Sequence, residues 1–139
     1  MHKIVLDTNV LLVSISRKSK LHWIFQYLLE EKYILCVTTD ILAEYAEIIE
    51  QQMGKVASES ALGVLENLSN IEFITSYYKF NLLKDADDNK FVDCAIASNA
   101  DYIVTHDKDF NILKQISFPI VNIIDTIEFK NILDNQKNS

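Results

Sequence analysis

The chain has 139 residues, of which 49% are hydrophobic and 24% are charged, and its formal net charge at pH 7 is −7. This length and apolar fraction are sufficient for one globular domain with a hydrophobic core. The acidic balance argues against a protein that holds nucleic acid by a broad basic surface.

No pattern in the chain is typical of export, of a membrane span or of a zinc site. Met1 to Lys3 lead directly into a short apolar segment, without the long hydrophobic region of a secretion signal. No apolar run approaches the roughly 18 residues needed to cross a bilayer. Cys36 and Cys94 lie inside predicted elements as small hydrophobes. We therefore expect a cytoplasmic protein without a membrane partner.

Short apolar runs alternate with segments of helical period, which is the pattern of βαβ units around a parallel sheet. We predict strands at about 3–6, 34–37, 71–74, 102–105 and 120–124. Between them we predict helices at about 20–31, 40–52, 57–69, 88–98 and 108–114, with a last one at about 126–134. With 2 Gly and 1 Pro there is no sign of a linker, so we expect a single domain over 1–139 with a frayed tail at 134–139.

Two predicted strands each end in an acid. Asp7 interrupts an apolar run, and Asp107 follows the strand at 102–105. Burying a bare carboxylate is costly unless it is paired, hydrogen-bonded or bound to a cation. The carboxyl ends of parallel strands are where open α/β sheets bind ligands. The two acids therefore suggest a shared cation site, and the alternative is that each caps the turn or helix after it.

Two further acids lie on apolar faces of predicted helices. Glu44 lies within the apolar stripe of helix 40–52, where a boundary glutamate with its head in water is the simpler interpretation of that helix alone. Asp93 lies beyond the first turn of helix 88–98, so the helix dipole gives little reason for it. A ligand of an ion and a lysine-paired acid at the edge of the core are both open for Asp93.

Several polar residues near these acids are candidates for supporting roles. Asp88, like its acidic neighbours, is an ordinary residue for a helix start and also a candidate outer ligand. Asn9 and Thr105 are expected to hydrogen-bond the acids or the turns that present them. Arg17 and Lys18 follow the first acid and are candidates for phosphate contacts. A solvated helix entrance is the alternative for these two cations.

The four main candidates share one type of donor atom. Carboxylate oxygens without histidine or thiolate select Mg²⁺ or Mn²⁺ over zinc or copper. Such clusters suit phosphodiester hydrolysis, since bound ions lower the pKa of water and stabilise the leaving oxygen. The candidates are Asp7, Glu44, Asp93 and Asp107.

Short motifs around these acids resemble those of the PIN-domain ribonucleases, and specifically of the VapC-like toxins of toxin–antitoxin pairs. The resemblance runs in order through nearly the whole chain, so the four motifs together are more specific than any one of them. The motifs are Val5-Leu6-Asp7-Thr8-Asn9-Val10-Leu11, Leu42-Ala43-Glu44-Tyr45, Asp88–Ala97 and Ala100–Phe110.

The resemblance implies a three-layer α/β/α sandwich with a parallel sheet of about five strands and an acidic pocket that holds Mg²⁺ or Mn²⁺. It also implies endonucleolytic cleavage of RNA, with 5′-phosphate and 3′-hydroxyl products, and an antitoxin protein as partner. Asp93 fits the helical acid of the family, and Asp88 stands close enough to share its role. His106 replaces a small residue of many relatives, and we interpret it as an exposed loop residue.

Two other functional classes are compatible with a small α/β domain. The first is a non-catalytic PIN-like module that binds an antitoxin or another protein. The second is a receiver-type signalling domain, which needs a phospho-accepting aspartate after a central strand. Thr75 and Ser76 follow the third predicted strand instead, which argues against a receiver.

A homodimer is a further candidate assembly. Aromatic residues in the first two predicted helices form either a dimer surface or part of the core. These residues are Trp23, Phe25, Tyr27 and Tyr45.

Overall fold

A computed structural model describes residues 1–136. Its strands are β1 (Lys3–Leu6), β2 (Ile34–Val37), β3 (Ile71–Phe73), β4 (Tyr102–Val104) and β5 (Ile123–Ile124). Its α-helices are α1 (Thr8–Ile15), α2 (His22–Leu29), α3 (Thr39–Met53), α4 (Lys55–Asn67), α5 (Asn89–Ser98) and α6 (Thr126–Asn135). Two 3-10 helices cover Ala86–Asp88 and Lys108–Gln115.

The strands form one parallel sheet of five strands in the order β3-β2-β1-β4-β5. The chain moves outward from β1 to β3 and then crosses back to β4 on the other side of β1. Because parallel crossovers are right-handed, this reversal places α1 to α4 on one face and α5 on the other. The predicted three-layer sandwich is confirmed. The order differs from the 2-1-3-4-5 order of receiver-like folds.

The two central strands place the first and last predicted acids side by side. β1 and β4 are covered on both faces, which is why each reads as a continuous apolar run. Leu6 pairs with Val104 in the parallel register. Asp7 and Thr105 therefore leave the sheet next to each other at its carboxyl edge.

One helix was not predicted from the sequence. α1 begins directly after Asp7 and buries Val10 and Leu11 in the core. Because most of α1 is apolar, its sequence shows no alternation of buried and exposed faces, which is the usual signal of a helix. Other bounds agree within a few residues, but the predicted strand 120–124 is reduced to β5.

The last helix occupies part of the predicted tail. α6 ends at Asn135, and Lys130 Nζ lies 2.8 Å from Asp134 Oδ2. Residues 137–139 lie outside the described residues. None of the helices between residues 1 and 136 is long and apolar enough to cross a membrane.

The aromatic residues considered for a dimer surface pack inside this chain. Tyr45 is fully buried, and its hydroxyl donates a hydrogen bond of 2.6 Å to the carbonyl oxygen of Leu6. Of the two alternatives for Tyr45, a dimer surface or the core, the structure shows the core. Trp23 is half-buried, with its ring centroid 5.5 Å from that of Phe129 in α6.

Candidate functional site

A threonine joins the two acids at the ends of β1 and β4. Thr105 Oγ1 donates a hydrogen bond of 2.7 Å to Asp7 Oδ2 and accepts one of 3.0 Å from the backbone N–H of Asp107. One buried hydroxyl therefore orients the Asp7 carboxylate and fixes the turn that carries Asp107. This is the supporting position that we expected for Thr105.

The Asp7 side chain is buried and does not cap α1. Its backbone carbonyl, rather than its carboxylate, accepts the 3.1 Å hydrogen bond from Leu11 N–H. Burial raises the pKa of Asp7, against the hydrogen bond from Thr105, and the negative charges of Asp107 and Glu44 raise it further. The helix-capping alternative for this side chain was wrong.

A cluster of carboxylates lies at this same edge. Asp88, Asp107 and Asp109 each offer a carboxylate oxygen within 4.8 Å of the others. Burial raises the pKa of Asp88 to about 6, with further contributions from Asp85, Asp107 and Asp7. Asp88 precedes α5 at the end of a 3-10 helix, so the chain brings it to the sheet edge before the helix begins.

Asp107 and Asp109 combine capping with membership of the cluster. Asp109 N–H donates a hydrogen bond of 2.9 Å to Asp107 Oδ1 at the start of the 3-10 helix. The capping alternative considered for Asp107 is therefore present. It coexists with ion binding because an ionised carboxylate has two oxygens and several acceptor sites. Asp109 was not among the four main candidates from the sequence.

Glu44 is held by two partners that were not predicted from the sequence. The Thr8 hydroxyl donates to Glu44 Oε2, and Lys90 Nζ donates to Glu44 Oε1 at 2.6 Å. The Glu44 and Lys90 side chains are each 22% exposed, so this ion pair is not in a dry interior. Burial lowers the pKa of Lys90, but the hydrogen bond and charge of Glu44 outweigh burial and leave the pKa raised.

Asp93, the main candidate of α5, is not part of this cluster, and none of the other acids is among the causes of its pKa shift. Its side chain is buried, and Asp93 Oδ1 accepts a hydrogen bond of 3.1 Å from Phe80 N–H. Burial raises the pKa of Asp93, against the Phe80 N–H and the positive charge of Lys79. Asp93 lies in the second turn of α5, whereas Asp88 precedes the helix, so the two carboxylates are presented differently.

The remaining polar candidates are mostly exposed. Asn9 is exposed and lines a cleft together with Asp7 and His106. His106 is exposed, as interpreted from the sequence. Arg17 and Lys18 are exposed in the turn after α1, and within residues 1–136 neither forms an ion pair.

The donor atoms at this edge fit a hard cation. Negative charges held close together oppose each other's ionisation, and a bound cation removes that penalty. Carboxylate oxygens are the ligands that hard divalent ions prefer. The acids at the site are Asp7, Asp88, Asp107 and Asp109, with Glu44 beside them.

The sequence matches one family over most of its length. A model of the PIN domain family matches residues 3–109. Over 112 residues the chain is 30% identical to the uncharacterized protein MJ1680 of Methanocaldococcus jannaschii. The matched region covers 77% of this chain and 72% of that protein.

Solved structures of low sequence identity share the fold. VapBC2 from Rickettsia felis, bound to a promoter DNA fragment, has a TM-score of 0.61 at 22% identity over 88% of this chain and 98% of that chain. VapC20 from Mycobacterium tuberculosis, described as a Sarcin-Ricin loop cleaving toxin, has a TM-score of 0.57 at 12% identity over 78% of this chain and 92% of that chain. The PIN domain endonuclease Utp24 has a TM-score of 0.52 at 18% identity over 89% of this chain and 84% of that chain. Taken with its fold and acidic site, the sequence match shows that this chain belongs to the PIN domain family.

Proposed function

We propose that this protein is a metal-dependent endoribonuclease that hydrolyses phosphodiester bonds in RNA. The observation that carries the proposal is the convergence of Asp88, Asp107 and Asp109 within 4.8 Å at the carboxyl edge of the sheet. Membership of the PIN domain family supports nuclease activity. The descriptions of VapC20 as a cleaving toxin and of Utp24 as an endonuclease support the same class of reaction.

We assign the binding of Mg²⁺ or Mn²⁺ to Asp7, Asp88 and Asp107, with Glu44 and Asp109 as neighbouring acids. This assignment replaces Asp93 by Asp88 as the acid of the third motif. The charges that act on Asp88 come from its neighbour Asp85 and from Asp107, Asp7 and Asp109 at the site, whereas Asp93 accepts a hydrogen bond from the backbone of Phe80.

The chain's own groups prepare the site in three ways. Thr105 fixes the Asp7 carboxylate, and Thr8 with Lys90 fixes that of Glu44. Asp7 and Asp88 have raised pKa values. A cation beside them would lower these pKa values and so favour the ionised carboxylates. When bound, divalent ions supply Lewis-acid activation of water and neutralise charge on the phosphodiester.

We further propose that the protein acts in the cytoplasm as the toxin of a toxin–antitoxin pair. The likeness to VapBC2, a toxin–antitoxin complex, supports an antitoxin partner. Co-expression with the product of a short neighbouring reading frame, followed by size-exclusion chromatography, tests this proposal. Co-elution with loss of RNA cleavage is expected, and cleavage unaffected by that product would contradict the toxin role.

The same column measures the mass of the chain alone, so it tests the predicted homodimer.

The nuclease proposal is tested by digestion of single-stranded RNA with the purified chain. We expect cleavage with Mg²⁺ or Mn²⁺, no cleavage with EDTA, and recovery when excess metal is added back. Asp88→Asn should lower the rate by at least about 100-fold, because even outer-shell partners of metal ligands are worth 10- to 100-fold. Glu66→Gln, an exposed acid in α4, is the matched control and should cleave normally. EDTA-resistant cleavage, or full activity of Asp88→Asn, would refute the proposal.

A further inference from the structure

The segment between β3 and the first 3-10 helix carries aromatic side chains that the core does not use. Tyr77 is 84% exposed and Tyr78 is 74% exposed, and Phe80 and Phe73, the last residue of β3, are also exposed. Exposed apolar side chains that are adjacent along the chain mark interaction sites, in contrast to apolar residues scattered singly on a surface. This stretch therefore requires a function beyond packing.

A polar cavity borders this segment and extends to Lys90, the ion-pair partner of Glu44. The cavity lies at the ends of β2 and β3, and its lining includes Lys79 and Lys90, the carboxylates of Asp40 and Asp93, and several hydroxyl groups. Lys90 also donates to Glu44, so one lysine borders both the cavity and the acids. The hydroxyl groups belong to Thr38, Thr39, Thr75 and Ser76.

A hydrogen bond to Asp93 connects the aromatic segment to α5. The Asp93 side chain is 7% exposed, and its carboxylate accepts the backbone N–H of Phe80, the residue after Lys79. A buried carboxylate lowers the stability of a protein unless it is hydrogen-bonded or paired. The contact accounts for an acid of α5 that lies away from the proposed metal ligands.

We infer that residues 75–80 form a binding platform for single-stranded RNA, in which unpaired bases stack on Tyr77 and Tyr78 while Lys79 contacts the backbone phosphates. Asp93 is the positioning residue of this platform. The inference rests on the proposed function, since it identifies how the RNA is held beside the acids.

The chemistry of the platform favours an unpaired strand over other occupants. In a chain of net charge −7, Lys79 places a positive charge next to Tyr78 in the sequence and in the lining of the cavity, where it complements a phosphate backbone. Aromatic faces stack on any unpaired base, whereas a duplex keeps its base faces covered. A segment of an antitoxin is the competing occupant, and the test below separates the two.

Binding is measured by fluorescence anisotropy of a short labelled oligouridylate in the presence of Mg²⁺, with Asp88→Asn as the background so that the probe stays intact. Adding Tyr77→Ala and Tyr78→Ala should weaken binding by about tenfold or more, the usual range for lost base stacking. Tyr77→Phe and Tyr78→Phe keep the rings and should bind normally. Phe118→Ala is the matched control, since Phe118 is 88% exposed elsewhere on the surface.

The lysine and the aspartate have separate readouts. Lys79→Ala should lower the slope of log affinity against log salt concentration by about one, the value of one phosphate contact. In the otherwise unchanged protein, Asp93→Ala should raise KM for RNA cleavage with little change in kcat. Asp93→Asn keeps an acceptor for the Phe80 N–H and should restore KM, which a role in metal binding would not allow.

The outcomes separate this inference from the nuclease proposal. Cleavage with unchanged KM in the tyrosine double variant would overturn the platform and leave the nuclease intact. Tyrosine-dependent RNA binding by a protein that does not cleave would support the platform and overturn the nuclease. Unchanged RNA affinity, with the tyrosine variants losing only affinity for an antitoxin, would assign the segment to the protein partner and overturn the platform.

Discussion

The fold penalises the ionisation of the Asp88 carboxyl group at the proposed site. Burial raises its pKa from 3.8 to about 6, and the charges of Asp85 and Asp107 act in the same direction. Between these two pH values the folded state binds more protons at Asp88 than the unfolded state. Stability therefore falls as pH rises through this interval, and the full penalty applies above it.

We predict that Asp88→Asn stabilises the metal-free protein at neutral pH. Without the charge the penalty is absent, and the gain at pH 7 is about 1 kcal/mol once solvent screening of a partly exposed group is allowed for. Urea unfolding in EDTA measures the difference, which should vanish below the ordinary pKa of an aspartate. A metal-free variant less stable than the wild type at neutral pH would contradict this account.

Thr105 provides a second prediction at the scale of one residue. Thr105→Val keeps the shape of the side chain but removes the hydroxyl that donates to Asp7 and accepts from the Asp107 N–H. Affinity for Mn²⁺ should fall by about 10- to 100-fold, as for other outer-shell partners. Calorimetric titration measures this affinity, and Thr105→Ser should retain most of it. Equal affinity in the valine and serine variants would show that the hydroxyl does not orient the acids.

Among the elements, α3 and α5 meet beyond the carboxyl edge of the sheet. Each helix follows a strand or loop at that edge, and the Glu44–Lys90 ion pair connects them. The pair places a fixed positive charge next to the proposed cation site. It therefore adds to stability while it opposes cation binding.

We predict that Lys90→Met has opposite effects on stability and on metal affinity. Loss of a partly exposed ion pair should lower the free energy of unfolding by about 0.5–1 kcal/mol. Removal of one positive charge should raise Mg²⁺ affinity by roughly two- to fivefold, since the interaction is screened by solvent and salt. Lys55→Met is the control, because Lys55 forms an exposed pair with Glu59 in α4. A decrease in Mg²⁺ affinity would show that Lys90 acts by holding Glu44 in place.

The strands were predictable because buried parallel strands are short apolar runs between polar segments. β1 and β2 have the predicted bounds 3–6 and 34–37. α1 was not predicted, because an apolar segment after a strand lacks the alternation of faces that distinguishes a helix. β5 was predicted too long, since the apolar residues at 120–121 precede the two residues that pair with β4.

The meeting of Asp7 and Asp107 at one sheet edge could be predicted from the sequence, and the choice between Asp88 and Asp93 could not. Asp7 and Asp107 follow strands, so the direction of the sheet alone brings them to one edge. The choice between the two acids of the third motif depends on the residue at which α5 begins. That residue decides which acid precedes the helix and which lies on one of its faces. Lys90 and Thr8 were missed because contacts between distant elements leave no periodic signal.

On the scale of the whole molecule, negative charge is concentrated at one edge of a chain whose net charge is −7. A ligand that binds only the folded state stabilises it in proportion to the logarithm of its concentration, by about 2.7 kcal/mol at 100 times Kd. We therefore predict that Mg²⁺ or Mn²⁺ raises the melting temperature of the wild-type protein. For a domain of this size, 1 kcal/mol corresponds to a shift of about 4 °C.

The control is Asp88→Asn, together with NaCl at matched ionic strength. In EDTA this variant should melt above the wild type, because its site lacks one repelling charge. With saturating Mg²⁺ the order should reverse, because the variant has lost a ligand and gains less from the ion. Calorimetric scans at both metal levels measure this crossing. Equal gains in both proteins, or the same gain from NaCl, would mean that general screening relieves the charge and that the acids of this edge do not bind a cation as a unit.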